Sequence, residues 1–187
     1  MQLIVLGNNM RHDLAKKYKN VYIRQVERED IEMLRKWRNN PINTRYLRKL
    51  PYITKEMQID WYKGYLNSKD EMMFAIEETE ELRRVVGSLA LYNFKEEQTE
   101  VGKLLIGDIE AHGRGIGVNS LKAVLGLVFH ELKKERVVLH VYSRNLAAVR
   151  IYKKVGFEIL EKHLNNGMEE LTMNINKEKY MSEEYYA

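Results

Sequence analysis

Apolar and polar residues recur along this chain in stretches that predict both strands and helices. Val21 to Val26 alternates with a period of two, and Met72 to Glu77 and Val85 to Leu91 form a strand pair around a charged turn. Apolar residues at helical spacing predict one helix from Asp30, as its N-cap, to Trp37, and a long helix from Gly117 to Lys133. Both periods occur in one chain, as in an α/β fold.

The rest of the chain continues this mixture of strands and helices. A second helix begins near Thr54, and another covers Asn145 to Val155. The order β-α-α-β-β-β-α-β-α-β-β predicts a single α/β (α+β) domain with a central sheet flanked by helices. The remaining predicted strands are Glu100 to Ile106, Arg136 to Tyr142, Phe157 to Lys162 and Glu169 to Ile175.

No linker or repeat divides this pattern. Pro41 and Pro51 are the only prolines, and no stretch is rich in serine and glycine or of low complexity. We expect the domain to cover residues 21–180, followed by a short tail of residues 181–187. Residues 1–20 precede the pattern as an extension, for which the sequence leaves two roles open: an added edge strand, or an arm that binds a partner.

The composition is that of a soluble globular protein. Hydrophobic residues make up 44% and charged residues 31% of the 187 positions, which suits one domain with a full core. No apolar run is long enough to cross a membrane, and no cysteine is present for a disulfide, a thiolate metal site or a nucleophile. No metal-ligand cluster is visible in the sequence. We therefore expect a cytoplasmic protein with neither a bound metal nor a membrane partner.

The formal net charge of +4 favours an anionic ligand. Nucleic acid would suit this charge equally, but neither a helix-turn-helix nor an aromatic-lined single-strand site is visible. Positive and negative residues interleave along the chain, which is typical of a solvated surface. We therefore do not expect nucleic acid as a partner.

A glycine-rich loop carries the clearest chemical signal. His112 to Gly117 reads His-Gly-Arg-Gly-Ile-Gly and lies between a predicted strand and a predicted helix. Its glycines let the backbone turn sharply and bring several N–H groups close to one anion, and the following helix directs its positive N-terminal end to the same point. The loop predicts a pyrophosphate cradle, with a purely structural turn as the alternative.

A second motif follows the loop and gives it a family context. Asn145 to Phe157 matches the pattern Asn-x-x-Ala-x-x-x-Tyr-x-x-x-Gly-Phe, and Gly115 and Gly117 match the glycines of Arg/Gln-x-x-Gly-x-Gly/Ala. In this order and spacing the two motifs resemble the GCN5-related N-acetyltransferases, the GNAT family, over roughly Tyr22 to Tyr180. His112 stands where the family has arginine or glutamine, which weakens the phosphate contact expected there.

The resemblance implies a GNAT fold, whose sheet is mixed and mostly antiparallel, and acetyl-CoA as the cosubstrate. In this family the pantetheine arm pairs with the strand before the loop like an added strand. The pyrophosphate would lie on backbone N–H groups of the loop, with Arg114 adding charge. The residues implied in acetyl-CoA binding are Leu104, Leu105, Ile106, His112, Gly113, Arg114, Gly115, Ile116, Gly117, Val118, Asn145, Ala148 and Tyr152.

Three residues are implied in catalysis. Tyr152 takes the position of a tyrosine that protonates the leaving thiolate, and packing of its ring in the core is the alternative. Asn145 would orient the cosubstrate or tie the strands together, or else cap a helix. Glu100 is the first candidate for a base that deprotonates the amine through water. Weaker candidates for this base are Asp108, Glu110, His112 and His140.

A Trp-Arg-Asn sequence at the end of the first helix resembles a subgroup of the family. Trp37, Arg38 and Asn39 look like the equivalent residues of the amino-sugar-nucleotide N-acetyltransferases of bacterial surface-glycan biosynthesis, of the pseudaminic acid pathway type. The resemblance implies that Trp37 and Trp61 shape the acceptor pocket and that Arg38 faces an anionic acceptor. The alternative is that both tryptophans anchor their helices and that Arg38 reaches solvent.

The acceptor is otherwise left open by the sequence. Ribosomal-protein N-terminal acetyltransferases and polyamine acetyltransferases share the general pattern, although a polyamine enzyme is expected to have an acidic pocket and cations cluster between Arg35 and Lys49. A module that senses CoA or binds nucleic acid is the alternative to an enzyme. We expect acetyl transfer to a primary amine of a small molecule, in a monomer or a homodimer.

Overall fold

A single sheet forms the centre of the fold. Its strands are β1 (Lys16–Tyr18), β2 (Val21–Gln25), β3 (Glu71–Glu78), β4 (Arg84–Tyr92), β5 (Gln98–Ile106), β6 (Arg136–Tyr142), β7 (Glu158–Asn165) and β8 (Met168–Asn176). They lie in the order β1-β2-β3-β4-β5-β6-β8-β7. Neighbours are antiparallel except for the parallel pair β5 and β6, which confirms a mixed, mostly antiparallel sheet. The structure is a computed structural model that describes residues 13–46 and 51–185, apart from the side chains of residues 183–185.

Six α-helices of the described residues flank this sheet. Asn40, Thr54 and Asn145 begin the second, third and fifth of them, because each side chain accepts a hydrogen bond from a backbone N–H of the first turn. The helices are α1 (Ile31–Asn39), α2 (Pro41–Thr44), α3 (Lys55–Asn67), α4 (Ile116–Gly126), α5 (Leu146–Lys154) and α6 (Lys177–Tyr185). None of them combines the length and the apolar character needed to cross a bilayer.

The predicted strands and helices are present, but two details of the prediction were wrong. Asp30 occupies the predicted N-cap position of α1, but its side chain makes no capping bond, because its carboxylate accepts hydrogen bonds from the Glu27 backbone N–H at 2.8 Å and from the Arg24 guanidinium at 2.7 Å. The long helix is α-helical only to Gly126 and continues as a π-helical turn over Leu127–Glu131. Over five residues, apolar spacing does not distinguish these two helix types.

Three short or weakly patterned elements were missed. β1 and α2 have three and four residues, too few for a periodic signal, and the charged α6 has little amphipathic character. β1 pairs with β2 as an edge strand, one of the two roles left open for the N-terminal extension; residues 1–12 lie outside the described residues. α6 packs Tyr180 on Phe129 with 5.0 Å between ring centroids, so the predicted tail begins inside a helix.

Helices pack on both faces of the sheet. Phe74 and Ile76 of β3 are fully buried in the cluster that contains Leu121 of α4. Met73 and Ala75, which point to the opposite face, are buried with residues of α1 and α3. Because β3 is buried on both sides, its sequence is an almost unbroken apolar run. The flanking helices therefore agree with the predicted architecture.

Candidate active site

The sheet is split between its two parallel strands. β5 and β6 pair only at Gln98 with Arg136, Thr99 with Val137 and Glu100 with Val138. Beyond Glu100, residues 101–106 of β5 and residues 139–142 of β6 have no pairing with each other. The backbone groups along the β5 side of this split are therefore available to an extended ligand, which would add to the sheet as a strand does.

A β-bulge bends β5 along the split. Ser88 of β4 pairs with Leu105 and Ala90 pairs with Gly102, so β5 has one more residue than β4 in this interval. Lys103 takes up the extra length in the left-handed region, at φ 53°. Residues 104–106, predicted to run beside the pantetheine arm, follow this bulge on the open side of the strand.

The glycine-rich loop leads from the end of β5 into α4. Gly113 and Gly115 have φ values of 77° and 75°, and a side chain at either position would point into open space. They are therefore required for backbone conformation and not for close packing. Gly117 differs, because a Cβ there would lie 3.2 Å from the Ile151 side chain, so this glycine sets the close approach of α4 and α5.

The first turn of α4 offers free donors at the loop. The first hydrogen bond within the helix runs from the Asn119 N–H to the Gly115 carbonyl at 3.0 Å. The N–H groups of residues 116–118 precede it and have no acceptor within the helix. Together with the positive end of the helix dipole they form an anion site of the predicted kind. These residues fit a pyrophosphate.

The two charged or titratable side chains of the loop serve the loop itself. His112 places Nε2 2.8 Å from the Ile106 carbonyl oxygen and so ties the loop back to the end of β5. Arg114 donates to the Glu110 carbonyl at 2.6 Å and pairs with the exposed carboxylate of Glu81. Arg114, expected to add charge for a phosphate, is therefore directed to the turn between β3 and β4.

The second motif lies on α5. Asn145 Oδ1 accepts the Ala148 N–H at 3.3 Å and caps the helix, which is the structural alternative considered for this residue. Tyr152 follows two turns later and is only 7% exposed, with its ring edge-on to Phe157 at 5.9 Å between centroids. Burial raises the pKa of Tyr152 to about 12, so its hydroxyl stays protonated at neutral pH. Among the described residues its hydroxyl has no hydrogen-bond partner.

Glu100 lies at the last pair before the split opens. Its carboxylate is 14% exposed and accepts a hydrogen bond from Asn93 Nδ2 at 2.7 Å. The Tyr92 hydroxyl also donates to it. Burial raises the pKa of Tyr92 above its ordinary value, and the hydrogen bond to Glu100 and the negative charge of Glu100 raise it further. On the β6 side, His140 Nε2 is 4.0 Å from Glu100 Oε1. The carboxylate is therefore held from two strands.

Sequence reasoning missed two of the groups around Glu100. Tyr92 pairs with Glu100 across β4 and β5, and Asn93 follows it in the turn. These contacts depend on which residues of β4 and β5 lie opposite each other, and no short motif marks that register in the sequence. A register predicted for the strand pair β4 and β5 could have found Tyr92, because residues directly opposite each other point to the same face.

The Trp-Arg-Asn sequence at the end of α1 approaches the end of β5. A Cβ on Gly107 would fall 2.1 Å from the Trp37 indole, so the ring lies directly on this glycine. Asn43 Nδ2 donates to the Gly107 carbonyl at 3.2 Å and fixes α2 at the same point. Arg38 is half-buried, and burial lowers the pKa of its guanidinium. Within residues 13–46 and 51–182 no hydrogen bond or ion pair engages this guanidinium.

Asn39 and Arg35 connect α1 to the segment before α3. The Asn39 amide donates to the Ile53 carbonyl at 2.8 Å and accepts the Ile53 N–H at 2.9 Å. Arg35, which is 8% exposed and which the prediction overlooked as a site residue, donates to the same carbonyl at 3.0 Å and pairs with Glu32. Both polar groups of the Asn39 amide are thus occupied by the fold.

Trp61 belongs to an aromatic cluster on α3. Its ring stacks on Tyr65 with 5.6 Å between centroids and 10° between planes. The Tyr65 hydroxyl in turn accepts the Met73 N–H at 3.1 Å, which joins α3 to β3. This arrangement favours the interpretation of Trp61 as a helix anchor. The structure thus places Glu100 where the split opens and the loop at the far end of β5, and Tyr152 interacts electrostatically with Tyr92, the residue opposite Glu100. Asn39 and Trp61 have structural contacts.

This chain is similar to known proteins in family, sequence and structure. The model of the acetyltransferase (GNAT) domain matches residues 20–158. The uncharacterized protein MJ1062 of Methanocaldococcus jannaschii is 26% identical over 148 residues, but the match spans only 30% of that protein. The spermidine N(1)-acetyltransferase of Escherichia coli is 26% identical over 170 residues, which are 88% of this chain and 90% of that one. The acetyltransferase PseH of Campylobacter jejuni is 22% identical over 73% of this chain and 82% of its own length.

Two solved structures show the same fold. The spermidine N-acetyltransferase of Vibrio cholerae, solved with CoA and spermine, has a TM-score of 0.76 at 22% identity, covering 87% of this chain and 98% of that chain. FdhC, a nucleotide-linked sugar GNAT solved without ligand, has a TM-score of 0.77 at 21% identity, covering 94% and 97%. The family match, the split sheet and the glycine-rich loop agree with one another: this chain belongs to the GNAT family and is an N-acetyltransferase.

Proposed function

We propose that this protein transfers the acetyl group of acetyl-CoA to a primary amine of a small molecule by direct attack on the thioester. The observation that carries the proposal is the open edge of β5, which has the Glu100 carboxylate at one end and the glycine-rich loop at the other. The buried phenol of Tyr152 supports it through an electrostatic interaction with Tyr92, the residue opposite Glu100. Acetyl-CoA supplies the activated acyl group, and the chain must hold it, deprotonate the amine and stabilise the leaving thiolate.

The loop and β5 would hold the cosubstrate. The N–H groups of residues 116–118, with the turn at Gly113 and Gly115, suit the pyrophosphate. Leu104, Leu105 and Ile106 offer backbone groups to the pantetheine amides on the side of β5 that β6 leaves open. Asn145 and Ala148, joined by a capping hydrogen bond at the start of α5, would contact the cosubstrate from this helix.

Glu100 is suited to remove the proton from the amine. An alkylammonium of pKa about 10.4 is neutral in only about one molecule per thousand at neutral pH, so attack requires a proton acceptor. The Glu100 carboxylate is 14% exposed and directed by Tyr92 and Asn93, which keeps it in one orientation at the mouth of the split. Its partial exposure leaves room for the water through which it would act.

Tyr152 is suited to stabilise the leaving thiolate by hydrogen bonding. Because the pKa of Tyr152 is about 12, full transfer of its proton to a thiolate whose thiol has a pKa of about 8.5 is unfavourable by about 5 kcal/mol. Burial of the thiol in the same place raises its pKa too and narrows this gap. The free hydroxyl of Tyr152 donates a hydrogen bond as the negative charge develops, and proton transfer completes only as that charge becomes basic enough.

We propose an amino-sugar nucleotide as the acceptor. Arg38 supports this choice, because a half-buried guanidinium without an acidic partner in the described residues is suited to a diphosphate. Polyamines are the second candidate, favoured by the 26% identity to a spermidine acetyltransferase over 88% of the chain and by the partly exposed carboxylate of Glu100. An N-terminal peptide amine of a ribosomal protein remains the third.

The experiment that tests the proposal combines binding with an acceptor screen. Acetyl-CoA at about a hundred times its Kd stabilises a folded protein by about 2.7 kcal/mol, which for a domain of this size raises Tm by roughly 5–10 °C. Thiol release is then measured with an amino-sugar nucleotide, the same amino sugar without nucleotide, spermidine and a peptide amine. Preference for the nucleotide form supports the proposed acceptor, and preference for spermidine replaces it. A folded protein with no thermal shift and no thiol release refutes the acetyl-transfer proposal.

A further inference from the structure

We propose that His140 carries the proton from Glu100 to bulk water during turnover, an inference that rests on the proposed function. His140 lies on β6, across the split from Glu100 on β5, with 4.0 Å between Nε2 and Oε1. This distance exceeds that of a hydrogen bond. The proton therefore passes through one bridging water, or directly after a side-chain rotation that brings the two atoms about 1 Å closer. His140 acts on the carboxylate and not on the amine, and it is a positioning and relay residue.

The groups around the Glu100 carboxylate leave His140 as its proton acceptor. Asn93 has only N–H groups to offer at the contact, and an amide does not accept a proton at neutral pH. Tyr92 donates its own proton to the carboxylate, and its raised pKa keeps it protonated. Of the described side chains next to the carboxylate, the imidazole of His140 is thus the one whose nitrogen lone pair can accept a proton.

The orientation of the ring favours this role. Thr172 Oγ1 of β8 lies 3.2 Å from His140 Nδ1. In the tautomer whose Nδ1–H donates to Thr172, Nε2 carries the lone pair and faces Glu100. The His140 side chain is 39% exposed, against 14% for Glu100, so a proton that moves from one to the other moves toward solvent.

The face of the sheet around His140 is rich in titratable groups. His163 of β7 is its neighbour, edge-on at 6.3 Å between ring centroids, and its Nε2 lies 3.1 Å from Glu170 Oε2. Glu161 of β7 lies opposite Thr172, on the same face. The groups that face His140 or lie next to it on this face are therefore Glu100, Glu161, His163, Glu170, Thr172 and Tyr142, with Arg144 over the Tyr142 ring.

The proton balance of each turnover leaves one proton to be released to water. The ammonium group first loses this proton through water to the Glu100 carboxylate. The neutral amine then attacks the thioester carbonyl, the C–N bond forms and the C–S bond breaks, and the second proton of the attacking nitrogen goes to the leaving thiolate to give the free thiol of CoA, with the Tyr152 hydroxyl stabilising the thiolate. Before the next cycle Glu100 must lose the proton that it took from the ammonium group, because a protonated carboxyl cannot accept the proton of the next ammonium group. The proton passes to Nε2 of neutral His140, and the imidazolium releases it to bulk water. No electron is exchanged, and both side chains return to their starting state.

The test compares His140→Gln with the matched variant His163→Gln. Both replace a partly exposed histidine on the same sheet face, but only His140 approaches Glu100. Activity is measured from about pH 6 to about pH 9 at low buffer concentration, with the acceptor that the wild type uses. We expect kcat of His140→Gln to fall by about 10²-fold at the low end, and to approach that of the wild type as the amine becomes neutral without a base. His163→Gln should keep the wild-type profile.

Added imidazole separates a relay from a structural role. It should restore kcat of His140→Ala in proportion to its concentration, because a diffusible base replaces the missing ring. If His140→Ala does not fold, the pH profile of His140→Gln decides alone, with circular dichroism as the check on folding. A wild-type profile for a folded His140→Gln, or an equal loss in both histidine variants, would overturn the relay. An inactive wild type would instead refute the proposed function.

Discussion

The Tyr92 hydroxyl occupies the space that a side chain at residue 102 would need. A Cβ built on Gly102 falls 2.2 Å from the Tyr92 oxygen, and the phenol lies across this glycine to reach Glu100. Tyr92 and Glu100 are opposite each other on β4 and β5, and Gly102 is the next residue of β5 on the same face. The absence of a side chain at Gly102 thus lets the Tyr92 hydroxyl reach and orient Glu100, the candidate base.

Gly102→Ala should therefore impair both catalysis and stability. The added methyl displaces the phenol, which releases the Glu100 carboxylate, and overpacking of this size costs about 1–3 kcal/mol of unfolding free energy. We expect kcat to fall by about tenfold or more. Gly64→Ala is the control, because nothing lies within 4 Å of a Cβ there and alanine favours the α3 helix. Equal kcat values for the two variants would contradict this account.

Tyr152→Phe should reduce kcat by about 10²-fold while leaving acetyl-CoA affinity nearly unchanged. The hydroxyl has no partner in the described residues, so its loss should not lower the free energy of unfolding. Tyr65→Phe provides the opposite pattern: it removes the bond from the Met73 N–H, costs about 1 kcal/mol of stability and leaves kcat intact. Kinetics and urea unfolding of both variants check the pair; normal kcat in Tyr152→Phe removes this residue from the mechanism.

Glu100→Gln should depress activity mainly at low pH. Without the carboxylate the reaction depends on the fraction of neutral amine, which rises about tenfold per pH unit below the amine pKa of about 10.4. The ratio of wild-type to variant rates should therefore be largest near pH 6 and shrink as the pH rises. A pH–rate profile of kcat/KM measures it, and a ratio independent of pH would argue that Glu100 only shapes the site.

Arg38→Gln should have two effects: weaker binding of the acceptor and a more stable fold. A half-buried charge without a described partner destabilises the free protein, so its removal should raise the unfolding free energy by about 1 kcal/mol. Loss of its bond to an anionic acceptor should raise the acceptor KM by about tenfold or more, with KM for acetyl-CoA unchanged. Lys36→Gln on the exposed side of α1 is the control. An unchanged acceptor KM would remove Arg38 from the acceptor site.

Gly115→Ala should weaken acetyl-CoA binding in addition to lowering the free energy of unfolding. At φ 75° an alanine is strained by about 1–2 kcal/mol, although the space around it is open. Gly167→Ala, at φ 74° and equally open, should lose similar stability. Only the loop variant should raise the Kd for acetyl-CoA, by about tenfold or more. Thermal shifts with and without the cosubstrate compare the two; equal shifts would mean that the loop is only a turn.

The fold was predictable because its signals are local. Alternating or unbroken apolar runs mark most of the strands, and glycines at fixed spacing mark the loop whatever the rest of the chain does. The surroundings of Glu100 were not predictable, since Tyr92, Asn93 and His140 reach it only through the register of β4 and β5 and the point where β5 and β6 separate. Their sequence distances from Glu100 follow no short motif.

The acceptor residues illustrate a second limit. A tryptophan, an arginine and an asparagine in a row suggested one pocket, but Asn39 uses both amide groups on Ile53 and Trp61 stacks within α3. A sequence motif identifies candidate residues, but it does not show whether their polar groups bind a ligand or stabilise the fold. Arg38 keeps a half-buried charge that pairs with no described residue. The acceptor, the homodimer and the cytoplasmic location stay predictions.

The open edge of β5 also has a consequence for the protein without its cosubstrate. Residues 101–106 present an unpaired strand edge in the middle of a sheet, and such edges are templates for aggregation. A pantetheine arm paired along this edge would shield it. The enzyme's lifetime in a cell would then depend on the acyl-CoA supply, with misassembly of the empty form beginning at the split when that supply fails.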